Sequence, residues 1–109
     1  MSLDDVLVVL CTAPADPEVS ARLARGLVAS RLAACVNVIA GLRSFYRWEG
    51  EVQDDPESQL LIKTTAARLD ALKAHLEEHH PYDVPEILAL PVREGSTAYL
   101  AWVRAEVAG

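Results

Sequence analysis

The sequence predicts an α+β domain built on one antiparallel sheet, and three observations lead to this prediction. Aliphatic residues fill positions 6–10 and 87–90 without a break, which is typical of buried strands. Two later segments repeat apolar residues at helical spacing. A Glu49-Gly50 pair between extended segments indicates a hairpin turn. The resulting order, β-α-β-β-α-β followed by a further helix, predicts a ferredoxin-like fold with two helices on one face of the sheet.

The first half of the chain contains a strand, a helix and a long second strand. Asp16 is a candidate helix cap, and Pro17 occupies the first helical position, where proline is favoured. We expect this helix to end near Leu32. The second strand runs from Cys35 to Trp48 with a bend at Gly41, because glycine inside a strand pattern often marks a bulge.

The return strand of the hairpin starts at Glu51. An interruption is expected at residues 54–56, because proline fits only an edge or a bulge, and the strand resumes over residues 60–64. Thr64 or Thr65 is the expected cap of the second helix, and Ser96 caps the last one.

Two prolines constrain the connection between the second helix and the strand at residues 87–90. Pro81 ends the helix, and Pro85 forces an extended approach to the strand. A loop fixed in this way loses little entropy when it binds a ligand or a neighbouring chain. The alternative is that it serves only as a stiff connection.

Composition narrows the class of protein. The 109 residues are 51% hydrophobic and 24% charged, which predicts one globular domain over residues 1–109. A net charge of -6 argues against binding to nucleic acid or to an anionic membrane. No run reaches the roughly 18 apolar residues of a membrane span, and the first residues lack a signal-peptide pattern. We therefore expect a cytoplasmic protein, in which Cys11 and Cys35 form no disulfide framework.

The length of the hairpin predicts an assembly. Fourteen extended residues span about 45 Å, whereas a compact domain of this size is roughly 34 Å across. The tip carries Phe45, Tyr46, Trp48 and Val52, which are too apolar to remain in water as an isolated ribbon. We expect them to pack on other copies of the chain in a closed ring. The alternative is a hairpin that folds back over its own domain at Gly41.

Several side chains are candidates for ligand binding. His75 and His79 are four residues apart and share a helix face that could hold one metal ion, although a half-buried structural role is the alternative. His80, Tyr82 and Glu86 lie in the proline-rich loop, where they either converge on one site or are simply solvated.

Three basic residues on the predicted strands are also candidates for binding. Lys63 lies within an apolar strand and needs water or an acidic partner at its tip, as in a cleft. Arg43 and Arg47 share a face of the hairpin and either pair with acidic residues across the strands or bind an anion. No phosphate-binding glycine loop and no nucleophile-elbow motif is present, so we expect a protein that is not an enzyme.

Four strings together resemble the CutA family, the divalent-cation tolerance proteins. They are L-A-A-C-V-N at residues 32–37, S-F-Y-R-W-E-G at 44–50, L-I-K-T-T at 61–65 and H-P-Y-D-V-P-E-I at 80–87. The resemblance implies a ferredoxin-like subunit in a homotrimer, whose hairpins join sheets between subunits, and an association with tolerance to copper and other divalent ions. The architecture is also similar to that of the trimeric PII signalling proteins.

The resemblance also implies site residues. Cys35, His80 and Glu86 are the candidate metal ligands, with Cu²⁺ as the candidate metal and no cofactor required. Lys63, Tyr82 and Trp48 are assigned to the cleft between subunits.

Three functional hypotheses follow. The first is a trimer that binds divalent metal or a small effector between subunits. The second is a signalling trimer that acts through a protein partner, with indirect metal effects. The third is an enzyme that uses His80 or Glu86 as a proton carrier near Lys63.

Overall fold

The computed structural model describes residues 2–109 and has the predicted order of elements. Four strands form one antiparallel sheet in the order β2-β3-β1-β4, which is the ferredoxin-like arrangement. Within the described residues, no helix is long and apolar enough to cross a membrane. The elements are β1 Val6–Pro14, α1 Pro17–Ala29, β2 Cys35–Trp48, β3 Glu51–Thr65, a 3-10 turn at Ala66–Arg68, α2 Leu69–His79, β4 Leu88–Pro91 and α3 Thr97–Val107.

Two apolar clusters lie on opposite faces of the sheet. On β1, alternate residues Val9, Cys11 and Ala13 belong to the main core beneath α1 and α2, whereas Val6 packs with Val103 of α3. Because successive side chains of a strand point to opposite faces, α3 must lie on the face away from α1 and α2. It covers only one end of that face, which we call the open face.

The start of α1 agrees with the prediction, but its end does not. The Asp16 side chain accepts a hydrogen bond from the Glu18 N–H at 2.9 Å, and Pro17 is the first helical residue. The helix ends at Ala29 rather than near Leu32, because Arg31 adopts a left-handed φ of 59°. A left-handed residue just after a helix is a common way to end it.

The hairpin of β2 and β3 bends where the sequence predicts. The pairing register shifts between Ile39 and Leu42, and Gly41 has a φ of 88°. Glu49 and Gly50 both have positive φ, at 50° and 82°. This combination defines the type I′ turn, whose twist matches that of the two strands.

The predicted interruption at residues 54–56 is wrong, because β3 is continuous from Glu51 to Thr65. Pro56 pairs in register with Arg43, and a salt bridge of 2.7 Å joins Arg43 to Asp54 across the strands. The pairing of β1 with β3 ends at Glu57, so β3 has a neighbour on one side only at Pro56. A strand edge of this kind tolerates proline without a break.

The predicted threonine cap of α2 is also corrected. Thr65 occupies the cap position of the turn before α2, but its side chain makes no capping hydrogen bond. The buried Thr64 hydroxyl donates to the Leu32 carbonyl at 2.7 Å and so ties β3 to the segment after α1. The Ser96 cap is confirmed, since its hydroxyl accepts from the Tyr99 N–H at 3.3 Å.

The hairpin projects from the domain and makes it elongated. The molecule measures 43 × 25 × 23 Å. Phe45 and Val52 at the tip are 64% and 69% exposed, and Tyr46 and Trp48 are also exposed. One chain therefore leaves uncovered the apolar surface from which the sequence predicts an assembly.

Candidate functional site

His80 anchors the proline-rich loop to the sheet. It is buried, with 7% of its surface exposed. Its Nε2 lies 2.7 Å from the Thr12 carbonyl oxygen, and its Nδ1 accepts the Tyr82 N–H at 3.1 Å. Because Nδ1 accepts a hydrogen bond, Nε2 carries the proton and donates to Thr12. Both ring nitrogens are thus used in holding residues 80–82 against β1.

Tyr82 projects from this loop onto a buried carboxylate of β3. Its hydroxyl donates to Glu57 Oε2 at 2.7 Å, and Glu57 is only 7% exposed. Burial, followed by this hydrogen bond and the negative charge of Glu57, raises the pKa of Tyr82 well above its usual range. Tyr82 therefore remains a neutral donor at physiological pH.

A pocket of about 610 Å³ opens between the loop, β1 and the hairpin. It brings together three residues predicted to be functional, Trp48, Tyr82 and Glu86, and adds Glu57. The shape is that of a ligand site with aromatic walls and a few polar groups. Its full lining is Thr12, Ser44, Phe45, Tyr46, Trp48, Glu57, Tyr82, Asp83, Val84 and Glu86.

The electrostatic potential around this pocket is negative. Burial first, and then the charges of Glu86 and Glu57, raise the pKa of the nearby Cys11 thiol to about 12. At the rim, the Tyr46 hydroxyl donates to Asp55 Oδ2 at 2.5 Å, and this hydrogen bond is the main cause of the raised pKa of Tyr46. The pocket is suited to a cation rather than an anion.

Lys63 and Cys35 lie at a different part of the open face. They are paired across β2 and β3, with Lys63 Nζ 3.9 Å from Cys35 Sγ and donating to Asn37 Oδ1. Lys63 lies six positions after Glu57 on β3, which is about 20 Å along a strand. Within one chain, the predicted cleft residues therefore form two groups.

The environment of Cys35 also includes α3. Burial, followed by the charge of Cys35 and a hydrogen bond to it, raises the pKa of Tyr99. The thiol thus lies between a phenol and an ammonium group.

The three predicted metal ligands do not form a metal site within one chain. Cys35 is beside the Lys63 ammonium, which repels cations, and both nitrogens of His80 are occupied. Among residues 2–109 there is no group of three or more His, Cys, Asp or Glu placed to hold a metal ion. The assignment of Cys35, His80 and Glu86 stays a prediction, and it requires ligands from a second subunit.

Glu57 and Asp55 were not among the site residues predicted from the sequence. An interruption of the strand was predicted at residues 54–56. Nothing in the sequence therefore indicated that a carboxylate in this part of the strand is functional. The partner of Glu57 is Tyr82, which lies 25 positions later in the chain. Only the fold brings these two residues together.

We expect Tyr82→Phe to lower the free energy of unfolding by about 2 kcal/mol, because it removes a hydrogen bond to a buried carboxylate. Urea denaturation of both proteins at pH 7 and equal chain concentration measures the loss. Tyr46→Phe, on the exposed hairpin, is the matched control and should leave the stability unchanged. Equal losses in the two variants would contradict a special role for the Tyr82–Glu57 hydrogen bond.

The fold and the pocket define a class of protein: a ferredoxin-like chain with a projecting hairpin and an acidic, aromatic pocket beside a proline-rich loop. Residues 7–106 match the family model described as CutA1 divalent ion tolerance protein. The divalent-cation tolerance protein CutA of Pectobacterium atrosepticum is 48% identical over 105 residues, covering 96% of this chain and 94% of that protein.

Solved structures agree with this match. The divalent cation tolerance protein of Thermus thermophilus superposes with a TM-score of 0.90 at 50% identity, covering 93% of this chain and 97% of that one. CutA of Xylella fastidiosa gives a TM-score of 0.92 at 40% identity, covering 95% and 99%. The chain belongs to the CutA1 family of divalent ion tolerance proteins, which confirms the resemblance found in the sequence.

Proposed function

We propose that this chain acts in divalent-metal tolerance as a homotrimeric binding protein, not as an enzyme, and that clefts between its subunits bind a divalent cation or a small cationic effector. The family match supports the link to metal tolerance. The observation that carries the rest of the proposal is the pocket of about 610 Å³ beside the proline-rich loop.

The pocket favours positive charge for two reasons. Glu57 and Glu86 place carboxylates in it, and Glu57 is too buried for water to screen its charge fully. Trp48 and Tyr46 supply aromatic faces, each of which contributes about 0.5–2 kcal/mol to binding a cation placed over the ring. A site of this kind holds an ammonium or guanidinium group as readily as a metal ion.

The exposed hairpin supports the assembly. Phe45, which lines the pocket, and Val52 present an exposed apolar surface on the hairpin. A second chain packed there would cover this surface and make the pocket a cleft between subunits. Because a strand-edge contact that does not close generates fibres, a closed ring of three is the arrangement we propose.

Direct metal binding in the cleft is tested by calorimetric titration of tag-free protein with Cu²⁺ and Zn²⁺. We expect Glu86→Gln to weaken cleft binding roughly tenfold, which corresponds to about 1.4 kcal/mol. Glu77→Gln, an exposed carboxylate on α2, is the control. Unchanged affinity in Glu86→Gln, Cys35→Ala and His80→Ala would show that these residues are not metal ligands.

A trimer that acts through a protein partner is the alternative function. The exposed Phe45 and Val52 would then serve the partner. A pull-down with the trimer, in the presence and absence of added metal, separates the two proposals. Capture of one partner regardless of metal, together with no metal binding in the cleft, would favour the alternative.

A further inference from the structure

Two imidazoles lie side by side on α2, on the helix layer away from the open face. His75 and His79 are one turn apart, with ring centres 4.3 Å from each other and ring planes tilted by 42°. Residues four apart on a helix project from the same face, so this proximity is built into the helix. Neither ring takes part in the pocket beside the proline-rich loop.

The spacing of the rings matches that of two ligands on one metal ion. With a metal–nitrogen bond of about 2.0 Å and a ring centre roughly 1.1 Å behind that nitrogen, two imidazoles at a right angle have centres about 4.4 Å apart. The observed 4.3 Å agrees with this value. The two rings are therefore close enough for one ion to contact a nitrogen of each once the side chains turn toward it.

The surroundings leave room for both rings. A Cβ at Gly26 of α1 would lie 3.4 Å from His75 Nε2, so the missing side chain at Gly26 lets this ring lie between the two helices. His79 is half exposed, and its Nε2 lies 4.0 Å from a carboxylate oxygen of Glu78. Water or that carboxylate can complete the coordination of a bound ion.

The protonation state of His75 also suits a metal. Burial first, and then the neighbouring His79, lower the pKa of His75, with Glu78 acting in the opposite direction. A neutral imidazole is the form that coordinates metals. His80, the next residue in the chain, is turned away and bonded to Thr12 and Tyr82, so it is no part of this pair.

We propose that His75 and His79 form a surface site for a divalent transition metal, with Cu²⁺ bound more tightly than Zn²⁺. The order follows from the higher affinity of a given nitrogen-ligand site for Cu²⁺ than for Zn²⁺. The site needs no second subunit, so it is independent of the proposed trimer and of its cleft. In a copper titration it contributes one ion per chain that the cleft does not hold.

Copper titration of tag-free protein, followed by calorimetry and by electron paramagnetic resonance, tests this site. We expect His75→Ala and His79→Ala each to weaken binding of that one Cu²⁺ per chain roughly a hundredfold, because two linked ligands become one. The number of nitrogens coupled to this copper should fall by one. Lys73→Ala, on the same helix and not a metal ligand, is the control and should bind as wild type does.

Circular dichroism must show that each variant is folded. Because His79 is half exposed, His79→Gln replaces the alanine variant if that one unfolds. Wild-type copper stoichiometry and nitrogen coupling in folded His75 and His79 variants would overturn the proposal. Loss of copper in Glu86→Gln but not in these variants would locate the bound ion in the cleft instead, so failure of the two proposals is distinguishable.

Discussion

Replacing both Phe45 and Val52 by aspartate is expected to convert the proposed trimer into single chains. The two side chains lie on the same face of the hairpin, since Phe45 pairs with Asp54 and Val52 with Arg47. Two carboxylates there would have to lose their hydration in an assembled form, at a cost of several kcal/mol per ion that the neighbouring Arg43 and Arg47 offset only in part. Gel filtration with light scattering at low micromolar protein measures the mass of the wild type and the variant.

Leu3→Asp is the matched control for this variant. Leu3 is 69% exposed, the same value as Val52, but it lies outside the hairpin. We expect it to leave the assembly intact. A wild-type protein that elutes as a monomer would contradict the proposed trimer, and a trimeric double variant would show that the hairpin does not hold it together.

Leu76→Ala is expected to destabilise the fold by about 2–5 kcal/mol. Leu76 is fully buried in the main core between α2 and the sheet. Its carbonyl also accepts the His80 N–H at 2.8 Å, so the helix turn that carries Leu76 positions the start of the proline-rich loop. Truncation removes apolar contacts and leaves a cavity that the surrounding side chains fill only in part.

Urea denaturation at a fixed chain concentration measures this loss, because the stability of an assembled protein depends on concentration. Glu77→Ala, one position further along α2 and exposed, should change stability by no more than about 0.5 kcal/mol. Equal stability of Leu76→Ala and wild type would show that α2 contributes little to the core.

Most of the fold could be predicted from the sequence because its signals are local. Asp16-Pro17 marks the start of α1, Glu49-Gly50 forms the hairpin turn and Ser96 caps α3. Each depends on a side chain or a backbone preference that acts within a few residues. The break expected at residues 54–56 is wrong because tolerance of Pro56 depends on which strands flank it, and this is a property of the sheet.

The candidate site could be predicted only in part. The string at residues 80–87 indicated the loop, and Tyr82 and Glu86 do line the pocket. That His80 is an anchor, with both nitrogens occupied, depends on its contact with Thr12, which lies 68 positions away in the chain. The positions of the four family motifs in the sequence also did not indicate that Lys63 and Cys35 lie about 20 Å along the strands from Glu57.

The sequence by itself determined the order of the elements, the turn, the loop and the family, because each depends on short stretches of chain. The tertiary structure alone decided which side chains meet: Tyr82 with Glu57, His80 with Thr12, and α3 with the open face. The physical reason is that burial and hydrogen bonding join groups far apart in sequence. Their electrostatics exist only once the sheet has brought them together.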